Sequence, residues 1–200
     1  MSAPPHAGEF EQPARFEFTP ENLERAREHI AKYPSGRQAS AVLPLLDLAQ
    51  RQHGGWLPRA AMDRVAEMLE MAPIRVYEVA TFYTMFNLRP VGRYLLQVCT
   101  TTPCWLRGSD EVVRACQNKL DIGVGGTTPD GLFTLVEVEC LGACVNAPIL
   151  QVNDDFYEDL DGPATEALLE ALHAGHPSPH GSVTGRRGSE PVGGRTTLLE

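Results

Sequence analysis

The sequence predicts an α+β fold: a small helical bundle, then a unit of order βαββα, then an extended C-terminal tail. Three observations predict it. Between residues 19 and 90, apolar side chains recur at helical spacing in four short stretches. From Arg93 onward, short apolar runs of strand type alternate with amphipathic helical stretches. Residues 175–194 contain nine Gly or Pro and only two aliphatic side chains, Val183 and Val192, too few to build a core. The 200 residues divide accordingly into a flexible N-terminus at 1–18, the helical bundle at 19–90, the βαββα unit at 91–174 and the tail at 175–200.

The first helix opens at Thr19-Pro20-Glu21, with Thr as N-cap and Pro at the first helical position, and is stopped by Pro34-Ser35-Gly36. Leu23, Ala26, Ile30 and Tyr33 form its apolar face. The second runs from Ser40 to Gln52 on Val42, Leu45, Leu46 and Ala49, with Pro44 tolerated only in its first turn, and His53-Gly54-Gly55 ends it. The third opens at Pro58 and uses Val65, Met68 and Leu69; the fourth opens at Pro73 and uses Val76, Tyr77, Ala80 and Tyr83. Short connections make these a bundle. Tyr94 to Val98 then reads as a strand, and Ser109-Asp110-Glu111 caps a helix through Leu120. A turn-rich loop from Ile122 to Gly131 leads to a strand from Phe133 to Val138. Ile149 to Val152 makes another strand, turning at Asn153-Asp154-Asp155, and a helix from about Pro163 buries Leu168, Leu169 and Leu172. The tail is either a mobile end or a strap lying on another surface.

The net charge of −9 is concentrated. Residues 91–174 hold 13 carboxylates against 4 Lys or Arg, while the rest of the chain nearly balances. Such a surface repels phosphate backbones and argues against nucleic-acid binding. No apolar run approaches the ~18 residues of a membrane span, and the acidic start has neither a secretory h-region nor the charge of a mitochondrial transit peptide. A soluble, unexported chain is expected. The motifs G-x-G-x-x-G and G-x-x-x-x-G-K-[ST] are absent, so no nucleotide site of its own is expected.

All five cysteines fall in the acidic segment. Cys99 and Cys104 are separated by four residues, Cys140 and Cys144 by three, and each pair follows a strand. Two adjacent loops could therefore present four thiolates to one place. A [2Fe–2S] cluster needs two thiolates per iron, and C-x₄-C opens plant-type ferredoxin motifs. Structural zinc also takes four cysteines but favours C-x₂-C half-sites, and unligated thiols are the third possibility. A disulfide oxidoreductase would need C-x-x-C, which is absent. The small residues Thr100-Thr101-Thr102-Pro103 and Leu141-Gly142-Ala143 would let backbone N–H groups approach sulfur. Cys116 lies mid-helix in a buried stripe with Val112 and Leu120 and reads as core. The six histidines show no ligand spacing.

The stretches Cys99-Thr-Thr-Thr-Pro-Cys104-Trp-Leu-Arg-Gly-Ser and Val138-Glu-Cys140-Leu-Gly-Ala-Cys144-Val-Asn-Ala-Pro148 closely resemble the [2Fe–2S] subunit of the NADH-oxidising module of respiratory complex I, NADH:quinone oxidoreductase. The resemblance extends to Leu45-Leu46-Asp47-Leu48-Ala49-Gln50, to Val79-Ala-Thr-Phe-Tyr-Thr-Met-Phe86 and to Glu190-Pro-Val-Gly-Gly-Arg-Thr-Thr-Leu198, so it covers about residues 16–198. It implies a thioredoxin-like ferredoxin domain and one [2Fe–2S] cluster ligated by Cys99, Cys104, Cys140 and Cys144. It also implies a flavoprotein partner that carries FMN, the NADH site and its own [4Fe–4S] cluster, within a larger peripheral-arm assembly. The tail would be a strap on that partner, and the chain would be non-catalytic alone. The expected location is the bacterial cytoplasmic face, ahead of the mitochondrial matrix, membrane-associated only through the complex. The rival readings are an equivalent subunit of an NAD-linked hydrogenase or formate dehydrogenase, and a zinc-stabilised structural adaptor. Because the cluster gains negative charge on reduction, thirteen nearby carboxylates predict a low potential and only partial reduction by NADH.

Overall fold

The chain divides between Val91 and Gly92 into two units. The computed structural model describes residues 10–186, 188, 191, 193, 194, 196 and 197. Residues 1–9 of the N-terminus, and Glu190, Val192, Arg195 and Leu198 of the tail motif, lie outside the described residues.

In the first unit the Thr19 hydroxyl accepts the Asn22 backbone N–H at 3.3 Å and starts α1, Pro20–Ala31. A 3₁₀ turn at Gln38–Ala41 leads into α2, Val42–Gln52, followed by α3, Arg59–Met68, and α4, Pro73–Phe82. The helix expected from Ser40 thus becomes α-helical only at Val42, which places Pro44 in the first turn, where it displaces no hydrogen bond. Ala26, Leu45, Leu46, Ala49, Val65, Leu69, Val76 and Ala80 meet in one core. Tyr33 and Tyr83 do not join it: each lies beyond the last turn of its helix and is exposed. Phe16 and Phe18, placed by the sequence in a flexible N-terminus, are buried instead. Two residues apart on extended chain they point the same way, and their rings pack edge to face at 5.2 Å. Gln50 on α2 donates to the Met85 carbonyl and accepts the Asn87 N–H, pinning the segment after α4.

The second unit contains β1 (Tyr94–Cys99), α5 (Thr102–Leu106), α6 (Ser109–Leu120), β2 (Phe133–Val138), β3 (Leu150–Val152), β4 (Asp155–Glu158), α7 (Gly162–His173) and β5 (Gly181–Ser182). The sheet order is β2-β1-β3-β4-β5. Strands β1 and β2 are parallel, β3 is antiparallel to both β1 and β4, and β5 is parallel to β4. Helices α6 and α7 pack on one another and share a core with the sheet: Val112, Cys116, Leu168, Leu169 and Leu172 against Leu96, Leu135 and Leu150. Gly92 makes the close approach of β1 to β2 possible, because a Cβ there would lie 2.7 Å from the Phe133 carbonyl carbon.

The βαββα frame is present, with three additions. Helix α5 has five residues, too few to show a helical period. Strand β4 follows the Asn153-Asp154 turn directly and has only Phe156 and Tyr157 as apolar residues. Strand β5 comes from the tail, so residues 181–182 of the expected strap lie on the edge of this unit's own sheet. Ser109 is not the cap of α6. Gly108, at φ 97°, holds that position, and the Ser109 hydroxyl is buried without a hydrogen-bond partner among the described residues. No helix among the described residues is long and apolar enough to cross a membrane.

Candidate metal centre

Parallel pairing sets Cys99 opposite Val138, so β1 and β2 end on the same edge of the sheet. Strand β3 runs the other way beside β1, with Leu150 opposite Val98, and therefore starts at that edge. The register gathers Cys99 at the end of β1, Cys104 on α5, Cys140 just past β2, Cys144 on the 3₁₀ turn Cys144–Asn146, and Ile149 before β3. Cys99 and Cys104 are fully buried with Ala147 and Ile149 in a small apolar cluster that Leu141, Ala143 and Phe156 cover. Cys140 is exposed and Cys144 half-buried. The sulfurs of Cys140 and Cys144 are 3.3 Å apart.

Donors surround the sulfurs. Cys99 Sγ lies 3.3 Å from the Thr101 hydroxyl and also receives the backbone N–H groups of Leu141 and Thr101. Burial pushes the Cys99 thiol up, but these bonds outweigh it and hold it below the ordinary value. Cys104 is pushed up to about 12, first by burial and then by its bond to Cys99, against one N–H from Ile149. In the second pair the Gly142 N–H, 3.4 Å from Cys140 Sγ, lowers Cys140, helped by its bond to Cys144. Cys144 is raised by that same bond first and then by burial. Each pair thus has one sulfur inclined to the thiolate. Cys99 acts electrostatically on Cys104, Cys140 and Cys144, so all four occupy one field. They are grouped as two pairs. Among the described residues no three Cys, His, Asp or Glu side chains enclose a site for one metal ion.

Cys116 lies apart from this group, fully buried in the core of α6, where burial pushes it up to about 12. His53 packs its ring against Phe16 and Trp56. The donors from the Thr101 and Leu141-Gly142 segments answer the small-residue signal in the sequence. Ile149 carries no such signal: it reads as the first residue of an apolar strand, and its N–H reaches Cys104 only because β3 starts beside the end of β1. Four thiols in two pairs, with N–H donors on sulfur, are a donor set that fits two irons with two thiolates for each.

The pattern of the thioredoxin-like [2Fe–2S] ferredoxin family matches residues 26–173. The chain is 55% identical over 185 residues, 92% of this chain and 75% of the relative, to NADH dehydrogenase [ubiquinone] flavoprotein 2, mitochondrial, of Dictyostelium discoideum. It is 63% identical over 157 residues, 78% of this chain and 94% of the relative, to an NADH-quinone oxidoreductase subunit from Rickettsia conorii. Among solved structures, the air-oxidised NAD+-reducing [NiFe]-hydrogenase superposes with a TM-score of 0.58 at 23% identity. That match covers 66% of this chain and only 23% of the hydrogenase chain, and it is a likeness of fold alone. Family pattern and relatives agree with the thiol-lined sheet edge: the chain belongs to the thioredoxin-like [2Fe–2S] ferredoxin family, whose members carry a single [2Fe–2S] cluster.

Proposed function

We propose that this chain is the electron-carrying [2Fe–2S] subunit of an NADH:quinone oxidoreductase (complex I), with Cys99, Cys104, Cys140 and Cys144 as cluster ligands. The observation that carries this reading is the convergence of those four thiols, and no others, on one sheet edge. When bound, the cluster would take and give up single electrons, which a flavin needs after receiving a hydride from NADH. The chain's own part is to hold and tune that group. Burial of Cys99 and Cys104 excludes water from one side, and the N–H donors from Leu141, Gly142 and Ile149 offset negative charge on sulfur. The net negative charge of residues 91–174 would act the other way and disfavour the added electron.

The partner in this reading is the flavoprotein subunit that holds FMN and the NADH site, and the working location is the cytoplasmic side of a bacterial membrane, reached through the assembly. The part of the tail beyond residue 188 is the segment that would strap onto that partner. The test is anaerobic purification, iron and sulfide analysis, and EPR after dithionite, followed by mixing with NADH with and without the flavoprotein. Iron and sulfide in equal amounts, no reduction by NADH alone and partial reduction with the partner are expected. A colourless zinc protein, or rapid and complete reduction of the chain alone, would overturn the reading. Electrons arriving from hydrogen or formate in the native assembly, with no quinone reduction, would assign it to the hydrogenase or formate dehydrogenase class.

A further inference from the structure

The Cys140–Cys144 pair sits on the loop between β2 and β3, outside any strand or long helix, and the tail reaches the residues next to it. Strand β5 aligns Gly181 with Tyr157 and Ser182 with Glu158, and the Val183 N–H continues the pairing to the Glu158 carbonyl at 3.1 Å. The chain then turns back, with the Gly185 N–H on the Ser182 carbonyl at 3.1 Å. This turn delivers Arg186 to Asp159. The guanidinium grips the carboxylate with two nitrogens, Nε at 3.1 Å from Oδ2 and Nη2 on Oδ1, while the Ser182 hydroxyl donates to Oδ2 at 2.6 Å. Both side chains are nearly buried, 13% exposed for Arg186 and 6% for Asp159. A forked pair of this kind fixes direction as well as distance.

From that pair, bonds run to the cysteine loop. Arg186 Nη2 lies 3.3 Å from the Val145 carbonyl, adjacent to Cys144. The Asp159 N–H donates to the Asn146 carbonyl at 2.7 Å, and the Asn146 side chain donates to Glu158 and to the Gly188 carbonyl. Asp159 has φ 58°, a left-handed conformation that costs a non-glycine residue energy and must be held by its surroundings. We propose that residues 181–186, with Gly188, are an intramolecular latch in which Arg186, seated on Asp159, is a positioning residue for the loop that carries Cys140 and Cys144. The latch gives the second pair the fixed geometry that β1, α5 and Ile149 give the first. It rests on the reading of those cysteines as cluster ligands.

The test compares the full chain with Arg186→Ala, Arg186→Lys, Asp159→Asn and the Arg186→Ala/Asp159→Asn double variant, with Arg114→Ala on the exposed face of α6 as control. Two quantities are read: loss of visible absorption to an iron chelator, and hydrogen exchange of amides 140–147 in the cluster-free chain. Arg186→Ala should speed cluster loss by about ten- to hundredfold and raise exchange in that loop but not in β1 or α6. Arg186→Lys, which lacks the fork, should fall between it and the parent. The double variant should be no worse than the poorer single, since the two groups act through one contact. If loop exchange and cluster loss in Arg186→Ala match the parent, or if exchange rises equally throughout the unit, there is no latch. A parent chain that binds no cluster would instead defeat the ligand assignment, while the exchange measurement would still decide the latch.

Discussion

The two cysteine pairs reach the same place by different means. Cys99 ends a strand paired on both sides, and Cys104 rides on α5 against Ala147 and Ile149; both are out of contact with water. Cys140 and Cys144 stand on a loop that faces solvent, in contact with each other and with the Gly142 N–H. The core beneath the sheet therefore specifies the first pair, while the second depends on local turns and on chain more than forty residues downstream. One pair has a rigid, dry seat and the other a seat open to solvent.

The largest expected effect removes the thiols themselves. Alanine at Cys99, Cys104, Cys140 or Cys144 should abolish or nearly abolish cluster incorporation, since each change takes half the protein ligands from one iron. Cys116→Ala should keep the spectrum and lose only packing in α6. Iron content per chain and visible absorption after identical reconstitution are the measurements. A Cys116→Ala chain without colour beside a fully coloured variant of the other four would refute the assignment.

A smaller and more selective contrast lies in two aliphatic residues, one beside each pair. Ile149 is 1% exposed and packs on Cys99 and Cys104, whereas Val145 is 66% exposed beside Cys144. Ile149→Ala should cost about 2–5 kcal/mol by opening a cavity under the buried pair. Val145→Ala should stay within about 0.5 kcal/mol, as surface changes usually do. Chemical denaturation of the two variants decides the point, and equal losses would mean that the two pairs are seated alike.

The cysteine spacing and the strands that lead to Cys99 and Cys140 are legible in the sequence because each is written locally: an apolar run, a thiol, small residues, then a second thiol. The core helix α6 is legible too, through its Val112-Cys116-Leu120 stripe. What escapes is non-local or very short. Helix α5 is shorter than two turns, β4 is half charged, and β5 is a Gly-Ser dipeptide that is a strand only because β4 offers it an edge. Arg186 and Asp159 are 27 residues apart, and nothing in either neighbourhood announces the other. The burial of the N-terminal aromatics is hidden for a related reason: Phe16 and Phe18 sit among charged residues, and they are covered only by a core formed from later helices.

The smallest effect concerns the start of the tail, where the Tyr157 hydroxyl donates to the Ser178 carbonyl at 3.1 Å. Burial in the sheet core, and then the charge of Asp155, raise this phenol above its ordinary value of 10. A group whose proton is held more tightly in the folded chain stabilises it fully below the unfolded value; that contribution fades as the pH rises through the folded value. The window therefore opens at about pH 10 and extends upward. Below it, Tyr157→Phe should cost about 0.5–1.5 kcal/mol, the usual worth of one such bond. Above it the ionised oxygen can no longer donate and is poorly placed in an apolar core, so the parent should lose its advantage and the two stability curves should converge. Tyr77 in the helical unit is also raised, first by burial and then by its bond to Asp63, but it is common to both chains and cancels in the difference. Thermal unfolding of parent and variant from pH 8 to 11 measures that difference directly. Parallel curves across the whole range would show that Tyr157 keeps its proton throughout, and that the tail's first anchor has no alkaline limit.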